Sequence, residues 1–253
     1  DDADVGKQAK PLKAELLLEL NRAEEALPLL DSIIAENPDH MSVKLARGRA
    51  HLMLKQYDLA RKDLETIPEE LHNAPPYLLL NGMLAMHDQD YQSAHKAASA
   101  ILQQFPNNPR ALLLASSALY MNSDYQDAEK HLKNLVKLLP GNINGLRLLA
   151  ATQQNMKKPE AALKTLAPIL RLAEPDPRAM AIAGYSYLAT GEWEKGEELL
   201  ARALKNAPEL SKLRKQLALS QLMGGKSERA LESIESTDES EYQIDALKVI
   251  AYL

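Results

Sequence analysis

Alanine stands at residues 26, 60, 94, 128, 162 and 230, and residue 196, on the same 34-residue ladder, is glycine. Seven small residues hold one register without an insertion or deletion. Only a structural unit of constant length, written seven times, accounts for that. A second ladder runs twelve residues earlier through Ala14, Gly48, Gly82, Ser116, Ala150, Gly184 and Ala218. A third, three residues before the alanines, carries Tyr57, Tyr91, Tyr125 and Trp193, with Ala23, Pro159 and Ser227 as exceptions. A fourth carries Pro38, Pro106, Pro140 and Pro208.

Between the ladders, apolar residues fall at helical spacing, as in Ala128, Leu132, Leu135, Val136 and Leu139. Each unit is interrupted by Pro, Asn, Asp or Gly near its middle and its end. The pattern predicts two short antiparallel helices per unit, with the small ladders at the helix crossings and the aromatic ladder wedged between consecutive units. Pro109 and Pro177 fit the first turn of a helix, where the missing N–H costs nothing. One such helix pair cannot bury its apolar side, so the units must stack into a shared, elongated core. Units are expected to begin near residues 7, 41, 75, 109, 143, 177 and 211, with a final helix over about 243–253, all within one solenoid domain spanning 1–253. Pro68 falls inside the expected second helix of unit two, which should stop near Ile67.

A 34-residue helix–turn–helix unit with two small columns, an aromatic and a closing proline resembles the tetratricopeptide repeat. The resemblance covers nearly the whole chain. It implies an all-α, right-handed superhelical α-solenoid of about seven units plus a C-terminal helix. A finer resemblance lies in PLLDSIIAENPDH, NNPRALLLASSALY, LLAATQQNMKKPEAALKTLAPIL and AGYSYLATGEWEKGEELLARAL. These are similar to the periplasmic tetratricopeptide lipoproteins of bacterial PEP-CTERM protein-sorting and exopolysaccharide systems. That implies a periplasmic scaffold tethered to the outer membrane through a lipidated cysteine outside this sequence. A cytosolic adaptor or regulator is the alternative.

The remaining composition narrows the chemistry. The formal net charge is −5, with no concentrated basic surface of the kind that nucleic acid requires. There is no cysteine, which excludes disulfides, thiolate metal ligands and a cysteine nucleophile. No apolar run reaches the roughly 18 residues of a membrane span. The first ten residues are polar and lack a signal-peptide core, as expected of a mature form or an excised piece. The six histidines form no i, i+4 pair and no H-E-x-x-H motif, so no metal site is expected. Carboxylates in AEEAL and GEWEKGEELL read as solvated helix faces. No P-loop, G-x-G-x-x-G or G-x-S-x-G occurs, so neither cofactor nor enzymatic activity is expected.

In the tetratricopeptide architecture the first helix of each unit lines the concave side. Carried onto this sequence, that places Arg49, Met83, Met86, Arg110, Leu113, Tyr120, Arg147, Gln154 and Tyr185 in a partner-binding groove, with Leu45 and Leu79 beside them. Arg, Tyr and Met are the residue types that anchor protein interfaces. The arginines suit an acidic or carboxylate-terminated segment. The expected partner is therefore another protein or a peptide segment. Polysaccharide binding is the less favoured reading, because glycan sites use exposed aromatics and this chain has few.

Overall fold

The structure, a computed structural model, describes the backbone of residues 2–235 and the side chains of residues 9–233. It divides into two compact units, Asp1–Ser123 and Asp124–Leu253. The first holds α1 (Asp2–Glu19), α2 (Ala23–Glu36), α3 (Met41–Met53), α4 (Tyr57–Glu65), α5 (Pro75–His87), α6 (Tyr91–Gln104) and α7 (Pro109–Met121). The second holds α8 (Tyr125–Leu138), α9 (Ile143–Asn155), α10 (Pro159–Leu170), α11 (Pro177–Ala189), α12 (Trp193–Asn206), α13 (Leu213–Met223) and α14 (Ser227–Glu235). The described residues contain no strand. The expected closing helix over 243–253 lies outside them.

The helix starts at Met41, Pro75, Pro109, Ile143 and Pro177 match the expected repeat boundaries. The first helix begins earlier than expected, at Asp2, and α13 slightly later, at Leu213. Caps explain the sharp starts. The side chains of Asn108, Asn142 and Asp176, again one repeat apart, accept from backbone N–H groups of the first turns of α7, α9 and α11. Each satisfies donors that the helix leaves open. Pro109 and Pro177 occupy the first turn behind these caps.

The alanine ladder is the spine of the core: Ala26, Ala60, Ala94, Ala128, Ala162 and Ala230 are all fully buried. The second small ladder marks the closest crossings. A Cβ added at Gly184 would stand 2.8 Å from Leu200 Cγ and 3.3 Å from the Gly196 carbonyl oxygen. The aromatic ladder is half-buried, and Tyr57 stacks on His87 of the next hairpin at 3.4 Å, as a wedge between hairpins should.

Every turn inside a hairpin uses one left-handed residue, also spaced by 34: Asn21, Lys55, Gln89, Ser123, Lys157, Gly191 and Gly225, with φ from 59° to 81°. At Lys55 the N–H reaches the Leu52 carbonyl at 3.0 Å, and the next N–H, of Gln56, reaches back to His51 at 2.8 Å. The same pair of bonds recurs at Asn21, Gln89, Lys157, Gly191 and Gly225. This is the Schellman ending, which satisfies the last carbonyls of the first helix. It reverses the chain at a fixed point in each hairpin.

Unit two of the repeat departs as expected. Pro68 cannot donate a helical hydrogen bond. The last helical residue of α4 is Glu65, and a single 3-10 turn over Glu69–Leu71 carries the chain onward. His72 closes this connection through a ring-nitrogen bond to the Ile67 carbonyl at 3.0 Å and a stack on Tyr77.

Ion pairs fasten successive helices. Asp63, only 3% exposed, takes the Arg47 guanidinium through three hydrogen bonds, and Arg47 also reaches Asp31 at 2.9 Å. One guanidinium thus ties α2, α3 and α4, and the buried charge is fully matched. In the second unit Glu129 pairs with Lys158 at 3.4 Å and Glu197 with Lys226 at 2.5 Å, the same two repeat columns used twice.

Candidate functional site

The first helices of successive hairpins in the Asp1–Ser123 unit line an open cavity of about 340 Å³. Leu45, Ala46, Pro75, Pro76, Leu79, Leu80 and Met83 supply most of its apolar lining. Glu15, Arg49, Asn108 and Arg110 are among its polar residues. Most of the lining comes from α1, α3, α5 and α7, because residues one repeat apart stand side by side on consecutive first helices, and Ile101 of α6 completes it. Glu15, Arg49 and Met83 are three successive members of one column.

The charges are arranged around one carboxylate. Arg49 donates to Glu15 at 2.7 Å and to Glu19 at 2.8 Å. Arg110 donates to the same Glu19 oxygen. Glu19 therefore bridges two guanidiniums carried by α3 and α7. Arg49 is 18% exposed at its side chain, whereas Glu15, Glu19 and Arg110 are close to half exposed. The outer three can exchange partners with solutes, while Arg49 is held in place by packing.

Of the residues expected in the groove, the cavity brings together Arg49, Met83 and Arg110, with Leu45 and Leu79. Its lining does not include Met86, Leu113 or Tyr120, although all three are half-buried on α5 and α7. Met83 and Met86 also pack against the core cluster around Ala94 and Leu114. Leu45 itself is a core residue, 8% exposed. In the second unit Arg147 donates to Asp176 at 3.3 Å and to the side-chain oxygen of Asn144 at 3.0 Å. Gln154 is half-buried, and Tyr185 packs against the cluster of Met180, Leu200 and Leu217.

Glu15, Glu19, Pro75, Pro76 and Asn108 were not anticipated. A signal for Glu15 was present: it lies one repeat before Arg49 in the same column, and opposite charges in one column become neighbours when hairpins stack. Glu19 carried no such signal, because Arg110 is 91 residues away and in a different column.

Among the described residues no group of three or more His, Cys, Asp or Glu is placed to hold a metal ion. No described helix is long and apolar enough to cross a membrane.

Tetratricopeptide-repeat family models match residues 17–83 and 119–184, and a second such model matches 79–143. The chain belongs to the tetratricopeptide-repeat family. The family is generally a non-enzymatic protein-interaction module. No curated protein matches the sequence. Solved tetratricopeptide structures are similar in fold. MamA (residues 41 to the end) from Desulfovibrio magneticus RS-1 is 20% identical, over 69% of this chain and 95% of that one, with a TM-score of 0.58. A tetratricopeptide repeat protein from Parabacteroides merdae is 17% identical, over 98% of this chain and 84% of that one, with a TM-score of 0.57. A Rap protein, complexed with Competence and Sporulation Factor, is 13% identical, over 95% of this chain and 77% of that one, with a TM-score of 0.70.

Proposed function

We propose that this tetratricopeptide array is a scaffold that holds a segment of a partner protein in the cavity between α1, α3, α5 and α7. The observation that carries the reading is the lining itself: an apolar surface of Leu, Pro and Met beside two guanidiniums that already hold a carboxylate. Such a site takes an extended segment that presents an apolar side chain next to an acidic one. The apolar group enters the cavity, and the carboxylate takes the place of Glu19 between Arg49 and Arg110. Glu19 is then the internal occupant that a partner must displace.

The test is selection from a random peptide library by the immobilised chain, followed by calorimetry on the enriched peptides. The expected motif pairs a carboxylate with an apolar residue. Charge reversal at Arg49 and Arg110 together should weaken binding at least tenfold, and Glu19→Gln should strengthen it. Peptides that bind the reversed variant equally well would reject the site.

The compartment we assign is the periplasm, with an outer-membrane tether and a role in exopolysaccharide export or protein sorting. Its support is the similarity of the phrases around residues 28–40, 107–120, 148–170 and 183–204 to periplasmic lipoproteins of those systems. Fusing alkaline phosphatase to the full-length gene product tests this directly. An inactive fusion in intact cells favours the cytosolic adaptor instead.

A further inference from the structure

The charges beside the cavity form a matched set. Arg49 and Arg110 supply two cations, Glu15 and Glu19 two anions, and each carboxylate accepts from one or both guanidiniums. Among the residues that line the cavity, the charged ones are Glu15, Arg49 and Arg110. The set is neutral as it stands. A partner carboxylate that enters between the guanidiniums leaves one negative charge in excess, because the displaced Glu19 keeps its own charge and stays tethered to α1.

Glu15 is placed to meet that excess. It lines the cavity, its side chain is 48% exposed, and Arg49 donates to one of its oxygens at 2.7 Å. A carboxylate has about four acceptor sites. A cation can therefore reach Glu15 from the solvent side without breaking the Arg49 contact. Arg49 sends one terminal nitrogen to Glu15 and the other to Glu19, so a carboxylate in the place of Glu19 stands beside Glu15. Glu15 and Glu19 are four residues apart on α1, with their stems about 5–6 Å apart on one helix face. An extended segment presents every second side chain on one face, about 6.7 Å apart. The two spacings match to within about the reach of a flexible side chain.

We propose that Glu15 is a second recognition residue of this site and seats a lysine or arginine that the partner segment carries two residues from its carboxylate. The inference rests on the exchange of Glu19 for a partner carboxylate proposed above, and it adds the cationic half of the ligand. The ligand is then a segment with an apolar residue, an acid and a base, not a purely acidic tail. Charge decides between the two. A further acid would face the carboxylates of Glu15 and Glu19, whereas a base turns the same pair from repulsive to attractive.

The test selects a random peptide library on two immobilised chains, the wild type and Glu15→Gln. The wild type should enrich peptides with Lys or Arg two residues from Asp or Glu. Glu15→Gln should keep the acid and lose the base, while Glu15→Asp, which retains the charge, should keep both. Calorimetry then compares the strongest wild-type peptide with its variant carrying Gln for the base, against the wild type and Glu15→Gln. Glu15→Gln also loosens one side of Arg49 and weakens both peptides alike. The cycle removes that common factor and should leave a coupling of about two- to fivefold between Glu15 and the base. Roughly 1 M salt should erase it. Absence of coupling, acids enriched without a neighbouring base, or bases enriched equally by Glu15→Gln would overturn the proposal and leave the exchange of Glu19 standing. Enrichment of peptides that lack an acid, or no enrichment at all, would overturn both.

Discussion

The carboxylate of Glu19 accepts a hydrogen bond from the guanidinium of Arg110, 91 residues further along the chain. This contact joins the first and fourth first-helices of the Asp1–Ser123 unit beside the cavity that Arg49 and Met83 also line. Both side chains are 47% exposed, so water and salt compete for each charge. A double-mutant cycle of Glu19→Gln and Arg110→Gln in urea unfolding should give a coupling of about 0.2–1 kcal/mol. At roughly 1 M salt, where screening acts within about 3 Å, the coupling should vanish. A salt-independent coupling above this range would show that the pair is shielded, and would argue against its being displaceable by a partner.

Gly184 sits in mid-helix, where alanine is intrinsically better by about 1 kcal/mol. Packing opposes that gain. The added Cβ would meet Leu200 Cγ at 2.8 Å and a backbone oxygen at 3.3 Å, and neither is the free end of a flexible side chain. Overpacking of this kind costs about 1–3 kcal/mol, so Gly184→Ala should lower the melting temperature. Gly141→Ala, with nothing within 4 Å of the new Cβ, should not.

The left-handed column offers a test with opposite signs at equivalent positions. Lys157 holds φ at 60°, and a left-handed residue with a side chain costs about 1–2 kcal/mol. Glycine removes that strain and adds about 0.5–1 kcal/mol of lost chain entropy. Lys157→Gly should therefore stabilise slightly, by up to about 1 kcal/mol. Gly225→Ala, at φ 73°, adds the strain and recovers the entropy, so it should destabilise by a similar margin, up to about 1 kcal/mol. Denaturation midpoints moving in the same direction for both variants would mean the turns are not under this strain.

Glu129 links unfolding to pH. Burial pushes its carboxyl up, but Lys133, Gln153 and Lys158 together outweigh burial and hold it below the usual value of 4.5. A carboxyl lowered in the folded state stabilises that state fully above its unfolded pKa, and the contribution fades as pH falls through the folded pKa. Acid titration should thus show stability falling below about pH 4.5, with a shallower slope in Glu129→Gln. An unchanged slope would place the acid sensitivity in other carboxylates.

Much of the fold was legible because the repeat writes the same requirement several times. One buried alanine is unremarkable, but Ala26, Ala60, Ala94, Ala128 and Ala162 in one register allow only stacked helices with a crossing at each. Pro68 announced the early end of α4, since a proline removes its own donor wherever it stands. The left-handed turn residues were hidden, because Asn, Lys, Gln and Ser occupy most of that column and the Schellman hydrogen bonds come from backbone atoms that every residue carries.

The site divides the same way. Sequence alone determined the all-helical hairpin stack, its repeat length, its small-residue crossings and the set of first-helix residues from which a groove is drawn. Only the tertiary structure decided which of those residues meet: it gathered Arg49, Met83 and Arg110 around one cavity, set Arg147 against Asp176, and placed Glu19 between two arginines. Periodicity fixes which side of a helix a residue faces. Which charges come within hydrogen-bonding reach depends on how far each hairpin turns relative to the one before it, and that rotation is set by the sum of many side-chain contacts.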